Sequence, residues 1–281
     1  MAGITLLRKA GMAALAVAGA VVLHSCETIF EYEGDCSVNY LVDFCYDINM
    51  KYADAFAAES GKVMLYAFDQ DGSLVWQKTE EGDCLAEEDY AMRLDLEPGL
   101  YDLVSWSVCD IADECFNIPL TKSPALTKEE LMCELVRKAD PEGRDYSDRH
   151  LGSLLHGCIE DLEIGETEGT YVSRMHMTKN TNQVRVVLQN LSGKELRKDD
   201  FNISITESNG LMGWDNSLLP CAEIDYSPWR LDSGMIGEPG SGDAVTTASA
   251  VVAELTLGRL MADRKTRLNV TDKEGKVVIS I

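Results

Sequence analysis

Apolar residues in this chain recur at a period of two over short stretches, and turn residues separate the stretches. Val38, Tyr40, Val42, Phe44 and Tyr46 fall on alternate positions. Successive side chains of an extended strand point to opposite faces, so the pattern gives one apolar face and disfavours a helix there. Lys62 to Phe68 is a short apolar run that stops at Asp69-Gln70-Asp71-Gly72, and extended sequence resumes from Leu74 to Gln77. That spacing predicts a hairpin with a short turn. A second hairpin is expected from Met92, Leu94 and Leu96, the turn Glu97-Pro98-Gly99, and the run Leu100 to Val108. Further strands are expected at Gln183 to Leu191, through Phe201, Ile203 and Ile205, at Val251 to Leu257, at Leu268 to Val270, and at Lys276 to Ile281 after the turn Lys273-Glu274-Gly275. One short helix is expected where Thr127 and Glu130 match a capping box and Leu131, Met132, Leu135 and Val136 make one apolar face. Many short strands without strand–helix alternation favour an all-β sandwich architecture. The acidic, glycine-containing stretch Glu160 to Gly169 reads as a boundary, giving domains at 36–161 and 162–281.

Ahead of these strands stands a different kind of segment. Arg8 and Lys9 precede Ala10 to Val22, which is apolar or glycine throughout. A spanning helix needs about 20 apolar residues, so the run has the length of a secretory signal core. Leu23-His24-Ser25-Cys26 follows, and it resembles the lipobox of bacterial lipoproteins. That resemblance implies cleavage between Ser25 and Cys26, S-diacylglycerol on the Cys26 sulfur and an N-acyl chain on its freed amine. Residues 1–25 are then a lipoprotein signal peptide and 26–35 a lipidated tether into outer-membrane lipid; two or more acyl chains make such anchoring stable. The other reading is an ordinary signal peptide in which Cys26 has no part.

The composition narrows the partners. With 25 Lys and Arg against 48 Asp and Glu the net charge is −23, which repels nucleic acid and leaves membrane contact to the lipid. Besides Cys26 the chain holds Cys36, Cys45, Cys84, Cys109, Cys115, Cys133, Cys158 and Cys221. Export permits disulfides, and Cys109 with Cys115, flanking a short loop, is the favoured pair; the alternative is that most are buried thiols packing as small hydrophobes. No catalytic site, cofactor or metal site is expected. His156-Gly157-Cys158 lacks a second cluster at matching spacing, Asp69-Gln70-Asp71-Gly72 lacks the distal ligands of a calcium loop, and no nucleophile elbow or phosphate loop occurs. Trp76 and Trp106 lie on expected strands, so Trp214 and Trp229, which flank loops, are the candidates for stacking on a sugar.

Several stretches together resemble the FimB-type anchor and accessory subunits of the fimbrillin superfamily, from Bacteroidales type V pili. They are Glu33-Gly34-Asp35-Cys36, the segment Phe44 to Phe56 ahead of Val63 to Asp69, Pro98-Gly99-Leu100-Tyr101 with Trp106, and Leu155-His156-Gly157. Lys179-Asn180-Thr181-Asn182, Phe201 to Thr206 running on to Asn209-Gly210, Trp214-Asp215-Asn216, Ala253-Glu254-Leu255 and Arg259-Leu260 complete the set. The resemblance implies two tandem transthyretin-like β-sandwich domains, lipid-anchored in the cell outer membrane and surface-exposed. It also implies a role in anchoring or capping a fimbria, with contact to fimbrial shaft subunits by β-strand addition. Family members usually extend beyond the strand at Lys276–Ile281, so the second sandwich is expected to lack its last strand or to take it from a partner, which puts the shaft contact beyond Leu162. The competing expectation is a surface glycan-binding or adhesive lipoprotein outside any fimbria.

Overall fold

The computed structural model describes residues 38–50, 52–119, 126–190, 192, 194–237 and 247–281, so Cys26, its cleavage site and Cys36 lie outside the described residues. Strand β1 (Val38–Cys45) is followed by a short helix, α1 (Phe56–Glu59), and by β2 (Lys62–Phe68), β3 (Leu74–Glu81), β4 (Ala91–Leu94) and β5 (Gly99–Val108). An excursion then carries β6 (Phe116–Asn117), β7 (Cys133–Leu135), β8 (Lys138–Ala139) and β9 (Asp145–Ser147). The chain returns through β10 (Leu154–Ile164), β11 (Gly169–His176) and β12 (Thr178–Lys179). It continues with β13 (Asn182–Asn190), β14 (Phe201–Glu207), β15 (Leu211–Met212) and β16 (Ile224–Tyr226), then β17 (Arg230–Gly237), β18 (Thr247–Leu257), β19 (Arg267–Asp272) and β20 (Val277–Ser280).

In the first sandwich the sheet β11-β1-β4 lies over the sheet β12-β10-β5-β2-β3. Val42 and Phe44 from β1, Val63, Leu65 and Ala67 from β2, Leu103 from β5 and Met175 from β11 fill the space between. In the second, β13-β18-β17 packs on β20-β19-β14-β16-β9-β8 around Val251, Ala253, Leu255, Ile203, Ile205 and Val270. The all-β class and the two sandwiches are as expected. The excursion between them joins the second body: β9 pairs in parallel with β16, Ile224 opposite Asp145, and β7 pairs with β6 and β15.

The alternate residues of β2 and β5 do not face solvent. Met64, Tyr66, Phe68, Val104, Trp106 and Val108 form one continuous apolar cluster with Cys115, Phe116, Leu131 and Leu135 of the excursion and with the second sandwich. A strand covered on both faces reads as a continuous apolar run rather than an alternation, which is how Lys62 to Phe68 reads. Its turn is as expected: Gly72 has φ 75°, and its N–H donates to Asp69 O at 2.9 Å. The Asp69 carboxylate accepts from Asp71 N at 3.0 Å and Ser73 N at 2.9 Å, so this acidic loop is turn chemistry.

Three expectations are corrected. Strands β4 and β5 do not form a hairpin: β4 pairs with β1, Leu94 opposite Tyr40, while β5 pairs with β2 and β10. Glu97 and Pro98 reverse the chain but carry it from one sheet to the other. The helix after Thr127 is a single 3-10 turn, Lys128–Glu130. Its capping box forms, with Glu130 accepting from Thr127 N at 3.1 Å, and the chain then extends. Leu131, Cys133 and Leu135 are buried on alternate positions, so period two wins over the helical spacing once a sheet is there to pair. Finally, the boundary at 161/162 falls inside β10. The acidic stretch holds a β-bulge, where the register to β5 shifts between Ile159 and Leu162 and Asp161 adopts φ 56°. The Asp161 N–H donates to Asp102 at 2.9 Å, and the other Asp102 oxygen takes Lys128 Nζ at 2.6 Å. Glu160, Asp161 and Glu163 are solvated positions near the end of β10, and Glu166 and Glu168 lie in the connection to β11 within the first sandwich.

The two sandwiches meet at a buried polar junction built from residues far apart in sequence. Asn180 donates to Asn216 Oδ1 at 2.7 Å, Asn182 to Gly258 O at 3.2 Å, and Arg259 Nη1 to Asn216 O at 2.5 Å. Tyr226 OH donates to Asn209 Oδ1 at 2.6 Å, and Asn209 Nδ2 donates to Arg259 O at 3.0 Å. His156 Nε2 sits 2.7 Å from Trp214 O, and the His156 ring stands edge-on to Trp106 with centroids 4.5 Å apart. Close approach beside His156 requires Gly157, where a Cβ would lie 2.6 Å from Met177 Sδ and 3.0 Å from the His176 carbonyl.

Burial lowers the His156 pKa from 6.5 to about 4. The native imidazole is therefore neutral, whereas the unfolded one protonates near 6.5. Stability is whole above pH 6.5 and falls as pH drops toward 4, by about 1.4 kcal/mol per pH unit. Urea melts between pH 7 and 4.5, above most carboxylate titration, should show this slope in the wild-type protein, and His156→Gln should flatten it.

Candidate functional site

The second sandwich presents two surfaces suited to holding another molecule. The first is the edge of β13. This strand pairs with β18 without a register shift from Asn182 opposite Leu257 to Asn190 opposite Ser249. Among the described residues no strand pairs with its other edge. Val184, Val186 and Leu188 point into the core but are only half-buried, while their β18 partners Leu255, Ala253 and Val251 are fully buried. Soluble proteins blunt such edges with charge, proline or bulges. Strand β13 has no proline or bulge, and its Arg185 is drawn onto Glu254 at 2.6 Å. The expected strand at Lys276 to Ile281 forms as β20, beside β19 at one end of its sheet, with Val277 and Val278 exposed and Ile279 half-buried.

The second surface is a cleft of about 240 Å³ lined by Gln183, Val184, Arg185, Trp229, Glu254 and Leu255. Trp229 is held by its main-chain N–H, which donates to Glu254 O at 3.0 Å, and its ring lies against the His150 ring, tilted 52° with centroids 4.6 Å apart. Gln183 Nε2 is 3.3 Å from His150 Nε2, and Arg185 Nε is 3.1 Å from Glu254 Oε1. A half-exposed indole beside an amide, a guanidinium and a carboxylate offers one apolar face and several hydrogen-bonding groups, the pairing a sugar ring requires.

The other residues singled out from the sequence are placed as follows. Trp214 is not a platform: Lys128 Nζ caps its ring 4.1 Å from the centroid, and its carbonyl meets His156. Trp106 is wholly buried, and Trp76 packs on the first core. Cys109 and Cys115 are not bridged. The 3-10 turn Asp110–Cys115 between them sends the sulfurs to separate partners, Ser153 N–H at 3.1 Å from Cys109 and His150 O at 4.0 Å from Cys115. Cys45, Cys115 and Cys133 are buried, but Cys84, Cys109 and Cys221 are partly exposed and Cys158 is exposed, so among the described residues most cysteines are free thiols that are not fully buried. Sequence reasoning missed the companions of Trp229, because Gln183, Arg185 and Glu254 come from β13 and β18 and carry no local motif.

A family model described as "Fimbrillin-A associated anchor proteins Mfa1 and Mfa2" matches residues 32–281. The minor fimbrium anchoring subunit Mfa2 of Porphyromonas gingivalis is 23% identical over 257 residues, covering 89% of this chain and 72% of that protein. A solved candidate polysaccharide-binding protein of Bacteroides thetaiotaomicron shares 30% identity and a TM-score of 0.71, over 87% of this chain and 80% of its own. A candidate adhesin of the same species gives 30% and 0.72 over 86% and 79%. The fimbrial anchor protein Mfa2 from Porphyromonas gingivalis shares the fold, at 20% identity and a TM-score of 0.64 over 88% and 82%.

The placement of the tryptophans separates surface from core. Trp229→Ala should cost less than about 1 kcal/mol in urea melts, against about 3–5 kcal/mol for Trp106→Ala.

Proposed function

The chain belongs to the family of fimbrillin-A associated anchor proteins, and from that membership we propose that it is an outer-membrane lipoprotein that anchors or caps a fimbria and receives shaft subunits by β-strand addition. As a member of the family it is a fimbria-associated subunit. The family is a structural one, and the reading assigns the chain no catalysis. The lipobox at Cys26 supports the tether. The acidic body supports it from the other side, because a net charge of −23 gives no electrostatic hold on anionic headgroups.

The observation that carries strand addition is β13: a long, straight edge with a half-covered apolar row. In β-augmentation the incoming strand satisfies the open main-chain groups, and its alternate side chains fill the uncovered row. The same row that leaves Val184, Val186 and Leu188 half-buried is where donor side chains would seat. A second reading, a glycan-binding surface lipoprotein, is favoured by the Trp229 cleft and by the likeness to the candidate polysaccharide-binding protein.

Cys26→Ala should abolish labelling with a palmitate analogue and release the protein from the membrane fraction; an alanine variant that still labels removes the lipoprotein assignment. Pull-down of fimbrial shaft subunits should succeed with the wild-type chain and fall at least tenfold with Val186→Lys, while deletion of 276–281 reports whether β20 contributes. Capture that is absent in the wild type, or unchanged in Val186→Lys, counts against strand addition at β13. Retention on bacterial polysaccharide lost in Trp229→Ala, with no shaft capture, supports the second reading instead.

A further inference from the structure

Cys45 is the last residue of β1, Asp47 lies just beyond it, and His176 is the last residue of β11. The two strands are neighbours in one sheet, and their pairing continues just past the end of β11, with Met177 N–H donating to Cys45 O at 2.8 Å. Phe44 points into the first core, so strand alternation turns Cys45 to the outer face. There the Cys45 sulfur, an Asp47 oxygen and a His176 ring nitrogen all lie within 4.8 Å of one another. His176 Nδ1 is 3.2 Å from Asp47 Oδ1.

The backbone carrying these groups is held in place. Asp54 Oδ1 accepts from Tyr46 N at 2.8 Å and from Phe56 N at 2.9 Å. Asn49 Nδ2 donates to Tyr46 O at 2.7 Å and Ala53 O at 2.8 Å. Asp54 and Asp47 both act on the Cys45 thiol, and Arg174, the cation acting on it among the described residues, is engaged by Asp43 at 2.7 Å. Burial first, and these carboxylates second, raise the thiol to about 11. The hydrogen bond from His176 holds the Asp47 carboxyl below its ordinary value.

We infer that Cys45, Asp47 and His176 form a binding site for a divalent cation of the zinc class. A thiolate, an imidazole and a carboxylate suit zinc or cobalt, whereas calcium and magnesium take oxygen ligands. Metal–ligand distances of about 2.0–2.3 Å set tetrahedral ligand atoms about 3.3–3.6 Å apart. The His176–Asp47 pair is already at that spacing, and the sulfur must close by roughly an ångström or less. Asp47 and His176 are about half exposed, so solvent can occupy the fourth position. Binding converts the Cys45 thiol to a thiolate and releases its proton, so affinity rises with pH below the thiol's own titration. The bound ion would also fix the loop bearing Ile48, Met50 and Tyr52, exposed by 68%, 93% and 94%, and so set the shape of an apolar projection.

The test is titration of zinc and cobalt into the full chain, stripped with chelator and kept reduced, by calorimetry and by absorbance. One equivalent should bind, the cobalt form should show a thiolate charge-transfer band, and zinc affinity should increase from pH 6 to pH 8. His176→Gln and Asp47→Asn, both at exposed positions, should weaken zinc at least tenfold, and His150→Gln, outside the cluster, should not. Cys45→Ser should remove the charge-transfer band, with circular dichroism confirming that the variant is folded. A wild type that binds zinc no tighter than His176→Gln, a cobalt spectrum without the thiolate band, or equal displacement by calcium would each overturn the site and leave an ordinary surface Asp–His pair.

Discussion

A sheet with two apolar faces cannot be satisfied by one partner, and the central sheet of the first sandwich has two. Val63, Leu65, Ala67 and Leu103 turn toward β1, β4 and β11, while Met64, Tyr66, Phe68, Val104 and Trp106 turn the other way. The second set includes some of the largest buried side chains in the molecule. Each aromatic buries about 150–250 Å², and leaving that face in water would forfeit a large part of the hydrophobic term. The excursion between β5 and β10 answers this demand: Phe116, Leu131, Cys133 and Leu135 cover the second face and continue it into the second core. The pair of sandwiches is thus welded by apolar packing as well as by chain connection, and Asn39–Ile281 forms one compact unit.

Packing alone fixes distance but not register, and the junction supplies the register. Buried polar groups must find partners or carry a desolvation cost of about 1–3 kcal/mol each. The Asn180 amide nitrogen, Asn209, Asn216, Tyr226 and Arg259 find partners through bonds that join different segments, while Asn180 Oδ1 stays buried without a protein partner. A slip between the bodies would break the Asn180–Asn216 and His156–Trp214 bonds together. Five of the stretches that carry the resemblance in sequence, around His156, Asn180, Asn209, Trp214 and Arg259, supply residues of this network. They were visible as scattered words, and they are one structural object.

What was legible in the sequence follows from how local each signal is. Strands β1, β13, β14 and β18 were found because one apolar face imposes period two along the chain itself, and the β2–β3 turn because Asp69 and Gly72 act within a few residues. The pairing of β4 with β1 was not legible, since Pro98 and Gly99 announce a reversal without naming the sheet on which the chain lands. The capping box at Thr127 marks the turn but not its length, because Leu131 and Leu135 suit a helix face as well as a strand face until a partner strand decides. The acids near Asp161 looked like a linker because a bulge places them in solvent, which composition does not distinguish from a flexible segment. Trp229 was identified as a surface indole, but its cleft is assembled across β13 and β18. Asp47 and His176 are distant in sequence and meet only because β1 and β11 are neighbours.

The order in which the strands were threaded has a kinetic consequence. The sheet containing β1 cannot gain β11 until the chain has reached His176, and β8 and β9 cannot dock until β16 has been made. Pairings between distant segments form slowly, because loop closure precedes the contacts that reward it. During that interval Leu131, Cys133 and Leu135, later enclosed, have only part of their eventual cover. A nascent molecule of this design is therefore adhesive in an unintended sense before it is complete, and the late β9–β16 pairing gives crowded, half-made chains a route to exchange strands between copies.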